Sequence, residues 1–499
     1  MSAAEPPQSA NCAPSGGSEA AKPRAWGDHT SAAEPPQSAN CAPSGGSEAA
    51  KPRAWGDPTS GHSGEAQVRA AQLHAPIYIV DGARTPFLKS RNRPGPFAAS
   101  DLAADAGRAL LLRQPFLPSG LDEVILGCAA PSVDEVNIGR VAALRMGCGN
   151  KVPGWTVMRN CASGMQALDS AIDAMRAGRS NLVLAGGVDA LSRTPLLFSD
   201  ALVAWLSSWS AAKTAGRRAA LLAQFRLRYL VPVIGLMRGL TDPVVGLLMG
   251  QTAENLACRF GITRREMDEF AAQSHARALA AQREGRFAQE IVPLYDRAGN
   301  VYETDDGVRE DSTPANLAKL RPFFDRKYGN VTAGNSSQVT DGAAWLLLAT
   351  EQAVQRHGLV PKGRIVDSQW AALDPAEMGL GPVYAVTPLL ERRRLGLADI
   401  DAWEINEAFA AQVLACLRAW QDDAFCRDEL GLSGAFGTID SAKLNADGGA
   451  IALGHPVGAS GVRIVMHVLE TLVRTGGRRG IAAICIGGGQ GGAMLVERV

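Results

Sequence analysis

Three short segments set reactive side chains among small residues. Cys161 lies in VMRNCASGMQALDSAIDAM, where an apolar strand gives way to a turn and a helix begins directly after the cysteine. The free N–H groups and positive dipole end of such a helix would stabilise a thiolate. A lone cysteine at a strand end is more often a small buried hydrophobe, but the strand–turn–helix context favours a nucleophile. His455 lies in NADGGAIALGHPVGASGVRI, held between glycines and prolines, with a helix expected from about Ala459. Alone it is as readily structural as catalytic; with Cys161 it supplies the base of a Cys–His pair. Cys485 ends an apolar strand in IAAICIGGGQGGAMLVERV. Gly487, Gly489 and Gly492 fit the pattern GxGxxG, but the seven residues that follow are too few for a dinucleotide-binding βαβ unit. Glycines there are better suited to present backbone N–H groups to a developing oxyanion. Asn406 and Glu407, in WEINEAFAAQ, complete the polar set; read locally, they are a helix cap and an exposed first-turn acid.

The elements that must position these residues alternate. Short apolar runs at Ile77–Phe87, Leu121–Ala129 and Asn181–Leu191 end in small residues, and helical patterns at Asp101–Leu112 and Met165–Ala177 lie between them. The pattern returns after Pro361, with strands expected near Gly363–Ser368, Ala402–Ile405 and Gly480–Ile486. Such alternation argues for an α/β architecture of two similar halves with a different middle. In that middle, Ala201–Thr241 holds no acidic residue but contains Lys213, Arg217, Arg218, Arg226, Arg228 and Arg238. Leu202, Trp205, Leu206 and Trp209 fall at helical spacing, and Pro232 should interrupt whatever helix precedes it. Two amphipathic helices are expected at Met249–Gly261 and Thr263–Gly285.

Composition narrows the function classes. The 499 residues are 46% hydrophobic and 20% charged, an ordinary globular balance with ample material for a core. Fifty basic residues against fifty acidic ones leave no overall basic footprint for nucleic acid. No apolar run approaches the roughly 18 to 20 residues that span a bilayer. Nine scattered cysteines without a CxxC pair support neither a disulfide framework nor a zinc site, and point to reduced thiols and a cytoplasmic location. Residues 1–75 open with a tandem 29-residue repeat, Ser2–Thr30 and Ser31–Thr59, differing only at His29 and Pro58. Rich in Ala, Pro, Ser and Gly, this tail is expected to be disordered, with Cys12 and Cys41 as passengers. It lacks the apolar stretch of a secretory signal and resembles no transit peptide.

NCASGMQAL, NEAFAAQ, GHPVGASG and CIGGGQGG, in this order, resemble the thiolase family over about residues 76–499, and VTAGNSSQVTDGAA is a fifth match. The basic segment and LRPFFDR look most like thiolases related to the β subunit of fatty-acid oxidation complexes. Asn406 departs from that subgroup: those relatives usually carry His at its position, whereas acetoacetyl-CoA thiolases carry Asn. The resemblance implies two βαβαβαββ halves in a five-layer αβαβα core: an N-terminal domain at 76–350, interrupted by a loop domain at about 192–325, and a C-terminal domain at 351–499. It implies that Cys161 accepts the acyl group and His455 activates it, while Cys485 exchanges a proton with the acetyl α-carbon. Asn406 would orient a water that with His455 forms one oxyanion hole, and the N–H groups of Cys161 and Gly487 would form the other. Ser337, in the fifth match, is carried over as a coenzyme A contact. The implied reaction exchanges 3-ketoacyl-CoA plus CoA for acyl-CoA plus acetyl-CoA, in β-oxidation or acetoacetyl-CoA metabolism. Coenzyme A and acetyl-CoA are substrates here; no permanently bound cofactor and no metal are implied. Expected partners are a second copy in a homodimer or homotetramer, a hydratase/dehydrogenase subunit, and a membrane surface met by the basic middle. The competing readings are a ketoacyl-synthase-like condensing enzyme, which would carry a second histidine in place of Cys485, and a non-catalytic acyl-CoA-binding scaffold, which would have lost part of the catalytic set.

Overall fold

The computed structural model describes residues 76–499; the repeat, Cys12 and Cys41 lie outside them. Nine strands form one mixed sheet: β1 (Ile77–Arg84), β2 (Glu123–Gly127), β3 (Gly154–Val157), β4 (Leu182–Ala190), β5 (Thr340–Thr350), β6 (Gly363–Ala372), β7 (Ala402–Ile405), β8 (Arg479–Ile486) and β9 (Gln490–Arg498). Across the sheet the order is β7-β8-β9-β6-β1-β5-β4-β2-β3, with the short Leu88–Lys89 strand beside β5. The seam is the antiparallel pair β1–β6, where Ile77 faces Ile365 and Ile79 faces Gly363.

Helices fill the connections. The principal ones are α1 (Ala99–Leu112), α2 (Ile138–Arg145), α3 (Ser163–Arg176), α4 (Asp200–Ala211), α5 (Ala215–Gln224), α6 (Met249–Arg259), α7 (Arg264–Arg283), α8 (Glu351–His357), α9 (Gly381–Arg393), α10 (Ala410–Gln421) and α11 (Val457–Thr475). α1 packs on β1, β4 and β5, and α2 on β2 and β3. α3 and α11 pack on one another, and α11 also meets strands from both ends of the sheet. α9 covers β6, β8 and β9. The layers therefore run helix, sheet, helix, sheet, helix, the αβαβα arrangement that the motifs implied. The first half is a full β-α-β-α-β-α-β-β; in the second, the third strand has shrunk to a single parallel bridge, Trp403 to Leu444.

The central position of α11 explains its composition. VGASGVRIVMHVLETLVRT is apolar on nearly every face, and all residues from Gly458 to Leu469 are buried. A helix buried on all sides can hold polar groups only if they are paired. Arg463 meets Glu404 of β7 at 2.6 Å, and His467 lies between Glu290 and Asp447. α3 and α11 cross in backbone contact: a Cβ on Gly164 would stand 2.5 Å from the Gly458 carbonyl, so a side chain there would push the helices apart. That crossing brings the Cys161 turn to the His455 turn.

Between β4 and β5 the chain carries α4 to α7. The Leu202–Trp209 spacing does form α4, and the helical turn Leu227–Leu230 stops before Pro232. Trp205 stacks on Trp209 and meets Phe225 edge-on, with centroids at 5.4 and 5.0 Å. All six basic residues of this segment are exposed and none forms an ion pair with a described residue. Among the described residues no helix is long and apolar enough to cross a membrane.

Candidate active site

The nucleophile's turn is built by Asn160, which takes a left-handed φ of 43° after β3 ends. Its side-chain amide donates to the Gly487 carbonyl at 2.9 Å, and its own carbonyl accepts from Ser163 Oγ at 2.8 Å. One 3-10 turn, Asn160–Ala162, then leads into α3 and leaves Cys161 half-buried at the helix N-terminus. The backbone N–H groups of Gly487 and of Cys161 itself favour the thiolate and lower the Cys161 thiol. Burial nevertheless outweighs them and pushes the thiol up to about 11. A thiol held that high calls for a base to form the thiolate, the part the sequence reading gave to His455.

His455 follows the short helix Ala450–Leu453 through Gly454, whose φ of 104° and position, 2.2 Å from Thr340 Cγ2 for a would-be Cβ, admit only glycine. The following helix begins at Val457, two residues before the expected start. The His455 N–H donates to the Gln338 carbonyl at 3.0 Å. In the ring, Nδ1 lies 2.6 Å from Ser460 Oγ, while Nε2 is buried with no partner. Burial, helped by the Arg463 charge, lowers the imidazole to about 4, so it is neutral at physiological pH. A neutral imidazole can take a proton from Cys161.

Cys485 ends β8, fully buried. Burial and the neighbouring Cys161 push its thiol well above the usual range. Gly488 and Gly489 then take left-handed φ values of 89° and 72°, which turns the chain just after Gly487, whose carbonyl meets Asn160 beside Cys161. Asn406 is fully buried beside β8, its N–H donating to the Ala483 carbonyl at 2.9 Å, and both side-chain amide atoms lack a partner. It caps no helix, since α10 starts only at Ala410 with Phe409 as its N-cap. Glu407 is likewise no exposed first-turn acid. At 1% exposure it accepts from Ser274 Oγ (2.6 Å), Asn445 Nδ2 (2.8 Å) and the Ile451 N–H (3.2 Å), a strut between α7 and the His455 turn.

One cavity of about 580 Å³ joins Cys161, His455, Cys485 and Ser337. Asn406 and Gly487 stand behind its wall rather than in it. Leu191, Leu236, Met237, Leu240 and Phe409 give it apolar walls. Two cations that the sequence reading missed, Lys89 and Arg309, also line it. Neither forms an ion pair with a described residue; Arg309 Nε is buried without a partner, and burial and the Arg309 charge lower Lys89. Lys89 alternates with Arg91 and Arg93, but no local pattern joins it to Arg309, so only the fold brings the two together. Among the described residues no cluster of three His, Cys, Asp or Glu is arranged to hold a metal ion.

Two family descriptions match the chain: thiolase, N-terminal domain, over residues 77–352, and thiolase, C-terminal domain, over 359–498. The β-ketoadipyl-CoA thiolase of Pseudomonas aeruginosa is 41% identical, covering 85% of this chain and 99% of that protein. The mitochondrial trifunctional enzyme subunit beta of Bos taurus is 37% identical over 84% of this chain and 88% of its own. A crystal structure of human mitochondrial 3-ketoacyl-CoA thiolase in complex with CoA superposes with a TM-score of 0.73 at 34% identity, covering 86% of this chain and 99% of that one.

Proposed function

The chain belongs to the thiolase family and is an acyltransferase that interconverts 3-ketoacyl-CoA plus CoA with acyl-CoA plus acetyl-CoA, and from that premise we propose how its residues divide the chemistry. His455 Nε2 takes the proton of Cys161, and the thiolate adds to the 3-keto carbon of the substrate. The bond between C2 and C3 then breaks, leaving the acyl group on Cys161 and the electron pair on the acetyl-CoA enolate. Cys485 protonates that carbon, and acetyl-CoA departs. The thiolate left on Cys485 deprotonates incoming CoA, which takes the acyl group from Cys161 while His455 returns the proton. Two thiols serve because one cannot carry the acyl group and move the carbon-bound proton at once.

The N–H groups of Cys161 and Gly487 hold the oxyanion on the acylated side. Asn406, whose amide has no protein partner, orients a water that with His455 holds the enolate oxygen. Ser337 contacts coenzyme A, and Lys89 and Arg309 are the cations available to its phosphates. Leu191, Leu236, Met237 and Leu240 take an aliphatic acyl chain. The observation that carries this reading is the convergence of Cys161, His455 and Cys485 on one cavity.

A homodimer or homotetramer and a hydratase/dehydrogenase partner subunit belong to this proposal; the similarity to a trifunctional enzyme subunit supports a partner subunit. The exposed basic residues of 201–241, beside exposed Leu206, Leu222 and Leu230, suit a peripheral membrane contact. A cytoplasmic location accords with the buried, unbridged Cys128, Cys148, Cys416, Cys426 and Cys485. The N- and C-terminal halves, 76–350 and 351–499, are read as the two thiolase domains. The test of the catalytic reading is incubation with acetoacetyl-CoA followed by peptide mass spectrometry. An acetyl group on Cys161 is expected; labelling elsewhere, with Cys161→Ala still active, contradicts it.

A further inference from the structure

We propose that Ser460 is a positioning residue that holds His455 as its Nδ1–H tautomer, leaving Nε2 free as the base for Cys161; this rests on the reading of His455 given above. Ser460 lies in the first turn of α11, 1% exposed, five residues after the histidine. Its hydroxyl has one proton to give, and the Pro456 carbonyl stands 3.0 Å from Oγ to receive it. The oxygen lone pairs then face Nδ1, at 2.6 Å, so the ring proton sits on Nδ1 and donates to Ser460. That leaves the bare lone pair on Nε2, the ring nitrogen with no protein partner.

The same contact strengthens once His455 carries a proton. An imidazolium donates a charge-assisted bond through Nδ1, and Ser460 is its one hydrogen-bonding acceptor at that position. This matters here because the surroundings oppose the charge: the ring is buried and Arg463 raises the cost of protonation. Ser460 thus acts through His455 and touches no substrate.

The test compares Ser460→Ala and the nearly isosteric Ser460→Cys with Ser460→Thr, which keeps the hydroxyl. In each, kcat and KM for acetoacetyl-CoA cleavage are measured, together with the rate of Cys161 alkylation by iodoacetamide at neutral pH. Losing a hydrogen bond to a charged group should lower kcat and the alkylation rate together by about 10- to 100-fold. KM should stay within about twofold, because ground-state binding is untouched. The Thr variant should recover most of both rates. A folded Ala or Cys variant with wild-type kcat and alkylation overturns the proposal, as does an equal loss in the Thr variant. A His455→Gln control separates the two claims: if alkylation is unchanged there, it is the assignment of His455 as the base that fails.

Discussion

A buried thiol near 11 beside an imidazole near 4 is an unusual Cys–His pair, because neither member is charged at rest. On the proposed mechanism, activation comes with substrate, as the proton moves from Cys161 to His455. The pH dependence follows from the signs. His455 works as a neutral base, so turnover should hold down to about pH 5 and fall as the ring protonates through about 4. An unperturbed histidine would place that limb near pH 6.5. A limb at the higher value in the kcat/KM profile would show that His455 is solvated rather than buried in the working enzyme. At this scale the sequence was legible for Cys161, His455 and Cys485, because each sits where a strand or turn meets glycines. Lys89, Arg309 and Glu407 were not legible: a charged side chain shows its partners only when distant segments fold against it.

Elements were read well where one period dominates. Leu202, Trp205, Leu206 and Trp209 announced α4, and Asn181–Leu191 announced β4, because each pattern is local. The third strand of the second half was lost to a single bridge at Leu444, which no local pattern marks. In the segment Gly235–Leu240, which follows α4 and α5 and the basic residues around them, Leu236, Met237 and Leu240 line the cavity. Replacing Leu236 or Leu240 by Trp should fill the acyl end. We expect kcat/KM for a sixteen-carbon 3-ketoacyl-CoA to fall by about tenfold or more, with the four-carbon substrate little changed. A uniform loss across chain lengths would place the acyl chain elsewhere. For those basic residues, each exposed Lys or Arg near an anionic surface is worth about 1 kcal/mol. Vesicle co-sedimentation at low salt should therefore be lost when Arg217, Arg218, Arg226 and Arg228 become Gln, and also at high salt. Wild type remaining in the supernatant at low salt would rule the contact out.

At the scale of the whole molecule, a buried ion network ties the middle of the chain to the central strand β1 and to α11. Arg84 of β1 pairs with Glu290 at 3.0 Å and Asp305 at 2.7 Å; Glu290 also meets His467 of α11, whose Nε2 stands 3.2 Å from Asp447. Despite burial, these carboxylates raise His467 to about 10. A group raised on folding contributes stability that is complete below its unfolded value, about 6.5, and is lost as pH rises through 10. Melting temperature should therefore decline from about pH 7 to 10, and His467→Gln should flatten that decline; an unchanged slope would contradict a charged His467. Glu290→Gln, which leaves buried charges unpaired, should cost about 3–5 kcal/mol in urea unfolding. The network fixes α11 relative to the sheet, and the packing of α3 against α11 lets one half supply Cys161 and the other His455 and Cys485. Whether the two thiols divide the reaction is read most directly by α-hydrogen exchange of acetyl-CoA in deuterium oxide, alongside acylation of Cys161. Cys485→Ala should still form the acyl enzyme but lose exchange by about 100-fold or more; near-normal exchange in that variant would contradict the division of labour.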